Sequence, residues 1–231
     1  MSSNRQLFIT ATDTGVGKTL ISGLLLGYLR GQGDRAEYQK WVATGCAETV
    51  ADLERVKELS GQNAEPVSLD LQVPYRFPFP ASPHLAAEQS NREIDPELLV
   101  AAYEIMRKRY EILLLEGVGG LLVPLRRELL LVDLIARLKI PALLVARSGL
   151  GSINHTLLSL EAMRKRNIPV LGVLFTDGPD EEHTIVADNL QTVGTLGRVR
   201  VFGRLRWSES DTELIAAFQP LGAAIRAALN V

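Results

Sequence analysis

The stretch Thr10-Ala11-Thr12-Asp13-Thr14-Gly15-Val16-Gly17-Lys18-Thr19 combines glycines, a lysine and threonines in an order suited to holding phosphate. The apolar run Leu7-Phe8-Ile9 before it reads as a strand, and Leu20 to Leu29 after it has helical apolar spacing. A strand entering a glycine loop that ends in Gly-Lys-Thr and opens a helix is the setting of a nucleotide-phosphate loop. Glycines let backbone N–H groups converge on phosphate oxygens, and the helix start adds partial positive charge. Gly15, Val16, Gly17, Lys18, Thr19 and Leu20 are therefore the candidate loop contacts, with Lys18 reaching the terminal phosphates and the Thr19 hydroxyl placed for Mg²⁺. The alternative is a tight strand-to-helix turn with an exposed lysine. The loop is a variant, because Thr12 stands where a glycine is usual and the small residue is Ala11, one step earlier. The form found in partition and cell-division ATPases has a lysine where this chain has Asp13, which disfavours that branch.

Other residues of chemical interest fall at the ends of apolar runs. Glu116 closes Ile112-Leu113-Leu114-Leu115, and a carboxylate there is costly to desolvate unless it faces a cation or a cleft. Gly117, Gly119 and Gly120, with Val118 between them, follow it and permit close backbone approach, though alone they would only indicate a loop. Lys40 falls near the end of the run Ala36 to Val42; by spacing alone a lysine there is more often a solvated strand end. Asp52 shares an acidic helix with Glu48, Glu54 and Glu58, which is equally the pattern of a solvated face. Gly149-Leu150-Gly151-Ser152-Ile153-Asn154 starts a helix and is either an anion site or an ordinary cap. Arg198, Arg200, Arg204 and Arg206 cluster near the last strand, either as an exposed face or as phosphate contacts.

The elements that must hold these groups alternate. Strands are expected at Leu7–Ile9, Ala36–Val42, Ile112–Leu115, Ala142–Ala146, Val170–Phe175 and Val199–Phe202. Helices are expected at Glu48–Leu59, His84–Gln89, Pro96–Arg109, Ser152–Arg166, Glu181–Val193 and Asp211–Leu229. Five prolines between residues 65 and 83 predict an irregular surface excursion, a lid or a substrate wall. The pattern implies a single domain over residues 1–231, a three-layer α/β fold of the P-loop NTPase kind with a mostly parallel sheet of about seven strands and helices on both faces. Right-handed crossovers then bring the strands' C-terminal ends, with all these loops, to one edge.

Composition narrows the function. A net charge of −2 offers no global field for nucleic acid or an anionic membrane, and no apolar run reaches spanning length. The lone Cys46 and three scattered histidines argue against a disulfide or a zinc site. A soluble cytoplasmic protein is the expectation.

In this order the motifs resemble those of dethiobiotin synthetases across nearly the whole chain. Thr10 to Thr19 is similar to that family's longer P-loop. Lys40-Trp41-Val42-Ala43-Thr44-Gly45 is similar to its Lys-Pro-Val-Ala-Ser-Gly, Ser82-Pro83-His84 to its Ser-Pro-His, Glu116-Gly117-Val118-Gly119-Gly120 to its Glu-Gly-Ala-Gly-Gly, and Leu150 to His155 to its Leu-Gly-x-Ile-Asn-His. The resemblance implies ring-closing carboxylation of 7,8-diaminopelargonate with CO₂ or bicarbonate and ATP. An amine takes up CO₂ to give a carbamate, whose oxygen attacks the γ-phosphate; the second amine then closes a cyclic urea and expels phosphate. It implies catalytic roles for Lys18, Lys40 and Thr14, and Mg²⁺ on Thr19, Asp52 and Glu116. Thr14, Lys40 and Thr44 would bind substrate, with Leu150, Gly151, Ser152 and Asn154 reaching its carboxylate across a homodimer. Thr176, Asp177, Leu205, Arg206 and Trp207 would surround the base, beside Gly117 to Gly119. Gly15 stands where the family commonly has Glu, Thr176 where it has Asn, and Leu205-Arg206 where it has Ile-Pro. The competing readings are an amidating synthetase on the same scaffold, for which the chain is short, and an ATP-gated regulator that binds a partner.

Overall fold

The structure, a computed structural model, describes residues 5–46, 49–61 and 66–230. It opens with β1 (Arg5–Ala11), the glycine loop and α1 (Lys18–Gly31). β2 (Ala36–Lys40) stops at Trp41, and the chain continues as β3 (Val42–Thr44) and α2 (Ala51–Ser60). α3 (Leu69–Gln72), β4 (Tyr75–Phe77), α4 (Pro83–Gln89) and α5 (Pro96–Arg109) lead to β5 (Ile112–Glu116). A short hairpin of β6 (Pro124–Arg126) and β7 (Leu129–Leu130) precedes α6 (Leu131–Leu138). Alternation then resumes as β8 (Ala142–Arg147), α7 (Ser152–Arg164), β9 (Val170–Thr176), α8 (His183–Gly197), β10 (Val201–Leu205) and α9 (Asp211–Leu229).

Six strands form the main sheet in the order β10-β9-β8-β1-β5-β2, all parallel. Side chains alternate across the sheet, so neighbours in sequence enter different cores. Leu7, Ile9, Leu114 and Leu143 pack with α1, α2 and α9, while Phe8, Leu113, Leu115 and Leu144 pack with α5, α6 and α7. Each fully buried leucine is worth about 2 kcal/mol of removed apolar surface. The register sets Ile9 beside Glu116 and Glu116 beside Lys40. Local chemistry fixes the helix starts: Asp95 accepts from Glu97 N ahead of Pro96, and Glu182 accepts from Thr184 N and Ile185 N.

The structure departs from the sequence expectation in four places. The main sheet has six strands rather than about seven. The second expected strand is two, because Trp41 is buried against Phe8 at a ring separation of 4.7 Å and turns the chain off the sheet. β3 then pairs with β4, so the proline-rich excursion holds a strand and a helical turn rather than being wholly irregular. Residues 121–138 carry a hairpin and a helix that apolar periodicity did not announce. Glu48, the expected first residue of the second helix, lies outside the described residues.

Candidate active site

The last residues of the sheet strands are Ala11, Lys40, Glu116, Arg147, Thr176 and Leu205, and all lie on one edge. A cleft of about 410 Å³ opens there beside β1. Thr14, Gly15, Gly17, Lys18 and Thr19 line it from the loop, Lys40, Ala43 and Thr44 from the end of β2 and from β3, Asp52 from α2, and Glu116, Val118 and Gly119 from the end of β5. Gly17 caps α1 at φ 101°, a conformation that strains any side-chain-bearing residue. Lys18 lies in the first turn, its Nζ donating to the Asp13 carbonyl at 3.1 Å.

Asp52 reaches the cleft because α2 lies close on α1. A Cβ on Gly23 would meet Leu59 at 2.9 Å, and one on Gly27 would meet the Leu59 carbonyl at 2.9 Å. Spaced four apart, the two glycines share one face of α1 and let the second helix approach. Thr19 Oγ1 then donates to Asp52 Oδ1 at 2.7 Å and lies 3.0 Å from Glu116 Oε1.

Lys40 sits between the same two acids, 2.6 Å from Asp52 Oδ2 and 2.7 Å from Glu116 Oε1. Glu116 is wholly buried, and Ser22 and Tyr38 donate to its Oε2 at 2.7 and 3.1 Å. Ser22 and Tyr38 are site residues that sequence reasoning missed. The signals were present, since Ser22 lies four residues after Lys18 on a helix and Tyr38 two before Lys40 on a strand. Lys18 and Lys40 do not come from the ends of two adjacent strands: β5 separates β1 from β2, and Lys18 belongs to α1. Glu116 fills the interval.

Burial draws the Lys18 ammonium down to about 8, with the nearby Glu116 opposing. For Lys40 burial acts the same way, but Glu116 and Asp52 outweigh it and hold the ammonium above its ordinary range. Burial would raise Asp52, yet Lys40 keeps it below the usual carboxylate range. Lys40 and Asp52 thus hold each other in their charged forms, while Lys18 is desolvated and, among the described residues, has no carboxylate at contact distance.

The remaining expected residues lie elsewhere on the edge. Thr176 sits behind the loop, its hydroxyl donating to the Val16 carbonyl at 2.7 Å and its methyl 3.2 Å from a Cβ built on Gly17. Asp177 accepts from Ser148 at 2.7 Å and pairs with Arg204 at 3.1 Å. Leu205 is buried, Arg206 is exposed and Trp207 is half exposed. Leu20 continues α1, and Gly117 is packed so tightly that a Cβ would meet Leu131 at 2.6 Å. None of residues 150–154 lines the cleft among the described residues; Leu150 is 91% exposed, and Ser152 is buried and accepts from Asn189.

A glycine loop and helix start on the C-terminal edge of a parallel sheet, with a lysine, a threonine and buried acids around one cleft, define a P-loop nucleotide-binding protein. The family model described as an AAA domain matches residues 5–213. Solved structures share the fold: a ParA family ATPase from Chlorobium tepidum (13% identity, TM-score 0.56, 99% of this chain and 95% of that one) and a chain of the MinC:MinD cell division protein complex of Aquifex aeolicus (12%, 0.61, 98% and 96%). The sequence matches are more particular. ATP-dependent dethiobiotin synthetases from Chlorobaculum tepidum (39% identical, 91% of this chain and 89% of that one), Bradyrhizobium diazoefficiens (40%, 94% and 94%) and Brucella ovis (44%, 87% and 86%) align along nearly their full lengths. The chain belongs to the ATP-dependent dethiobiotin synthetase family.

Proposed function

We propose that the chain closes 7,8-diaminopelargonate, CO₂ and ATP into dethiobiotin, ADP and phosphate, the ligase step of biotin biosynthesis that its family performs. The observation that carries the residue assignment is Lys40, buried at 2.6 and 2.7 Å from two acids on the wall of the cleft that also holds the loop lysine. A carbamate oxygen is a poor leaving group until it is phosphorylated, which is why the reaction consumes ATP. Transfer of the γ-phosphoryl group is chiefly positioning and charge stabilisation, and Lys18 and Lys40 stabilise the oxygens between which it passes. Thr14 and Thr44 offer hydroxyls to the amine and carbamate end. A single P-loop domain carries all of these groups.

Thr19 presents a hydroxyl within hydrogen-bond distance of the Asp52 and Glu116 carboxylates, and the three are the hard oxygen donors that Mg²⁺ takes. Bound there, the ion would shield and orient the β- and γ-phosphates. The start of α7 is held open by Gly151, without a side-chain cap, and Leu150 and Asn154 are exposed there. This supports a homodimer in which Leu150, Gly151, Ser152 and Asn154 of one subunit receive the substrate carboxylate bound in the other. We place the enzyme in the cytoplasm.

Base selection is weak in this reading. The one proton of the Thr176 hydroxyl is given to Val16, and Asp177 is occupied by Ser148 and Arg204, so neither offers the paired donor and acceptor of an amide. GTP and CTP should support turnover with kcat/KM within about a hundredfold of ATP. A larger gap would refute weak selection. The reaction itself is tested by incubating the protein with the diamine, bicarbonate and MgATP and weighing the product. A cyclic urea that needs all three supports the assignment; ATP turnover without it discards the substrate.

A further inference from the structure

Arg147 ends β8, the strand that flanks β1 on the side away from β5. Its guanidinium is exposed and lies 3.4 Å from the Gly15 carbonyl, a long hydrogen bond that leaves most of its donors free. No carboxylate among the described residues pairs with it. Other arginines, among them Arg30, Arg55, Arg127, Arg137, Arg166 and Arg226, each reach one. Gly15 has no side chain to fill the space between them; a Cβ there would stand 3.8 Å from Arg147 Nη2.

The charges of the cleft show what this cation is for. Lys18 and Lys40 are set against Asp52 and Glu116, and Lys40 is already held by both of these acids. A triphosphate brought to such a site meets, besides any metal the acids hold, one lysine without a carboxylate contact among the described residues. An arginine stays protonated at any working pH, and its planar fork matches phosphate oxygens two at a time. We propose that Arg147 binds the triphosphate of ATP from the β8 side of the loop, opposite Lys40, and so adds a phosphate ligand beyond the P-loop backbone and Lys18. This rests on the reading that the loop binds ATP.

The test compares the full-length enzyme with Arg147→Gln and Arg147→Lys, by titration of MgATP and by steady-state kinetics. Removing one charge-assisted hydrogen bond to a phosphate raises Kd and KM for ATP by roughly tenfold or more. That rise is expected in Arg147→Gln, with diamine KM and melting temperature unchanged, and with partial recovery in Arg147→Lys. ATP constants within about twofold of the unsubstituted enzyme would overturn the proposal. So would an effect confined to diamine KM, or one that follows a lowered melting temperature. If the unsubstituted enzyme itself makes no cyclic urea, the underlying reading has failed; if it does and Arg147→Gln matches it, only the role of Arg147 has.

Discussion

Glu116 and Glu37 are both buried acids on the paired strands β5 and β2, and they have different surroundings. Glu37 lies toward the start of its strand, with Arg30 at 3.0 Å, the Tyr38 N–H at 2.9 Å and Gln72 at 3.4 Å. Glu116 lies at the end of its strand, with Lys40, Thr19, Ser22 and Tyr38 around both oxygens. The cleft near Glu37 is the larger, about 640 Å³ against 410 Å³. Volume therefore does not mark the site. Convergence does, because the groups around Glu116 come from several elements that meet where strands end and a helix begins. Glu37 is an acid accommodated by its neighbours; Glu116 is one around which neighbours have been gathered.

That contrast breaks most readily at the lysines. Lys18→Ala or Lys40→Ala should lower turnover by about two to three orders of magnitude, the cost of losing a transition-state donor. Near-normal turnover in a folded Lys40→Ala enzyme would remove Lys40 from the reaction. A subtler break lies in the helix packing that delivers Asp52. Gly27→Val should force α2 off α1, costing about 1–3 kcal/mol in urea unfolding and lowering turnover by roughly tenfold. If stability falls and turnover does not, the position of Asp52 is immaterial. Thr44→Val should mainly raise diamine KM, by about three- to tenfold; an effect confined to kcat would count against substrate binding by Thr44.

The smallest effect belongs to the other end of the sheet. Glu37→Gln should leave turnover within about twofold. Its signature is in stability instead. Burial, the largest influence, lifts the folded Glu37 carboxyl above its ordinary 4.5 despite Arg30. The folded state therefore holds the proton more tightly than the unfolded chain, and this stabilisation is full below 4.5 and lost as pH rises through the higher folded value. Unfolding free energies measured across that window should fall with rising pH in the native sequence and flatten in Glu37→Gln. An unchanged slope would assign it to other groups.

The parts legible in the sequence were those whose chemistry is local. The loop from Thr10 to Thr19, the acid closing an apolar run at Glu116 and the Asp95-Pro96 helix start each declare themselves within a few residues. Resemblance added Lys40 and Asp52, which spacing alone left open. What stayed hidden depends on partners far along the chain: Ser22 and Tyr38 meet Glu116 from positions 94 and 78 residues away. The β3–β4 pairing joins two three-residue strands too short to show a period. Residues 121–138 were obscured because Leu121-Leu122-Val123 and Leu129 to Val132 are continuous apolar runs, which do not separate strand from helix.

Trp41 gives that hidden pairing a further meaning. It is a joint between two parts that can change at different rates. Lys40, before it, is locked into the main sheet in register with Glu116. Thr44, after it, rides on a separate two-stranded unit shared with β4. If Thr44 contacts the diamine as proposed, insertions or substitutions around β4 can reshape that contact while leaving Lys40 and Glu116 where they are. On that reading, tolerance for altered diamines would be uncoupled from the capacity to spend ATP, and the proline-rich stretch is where a new specificity could be bred.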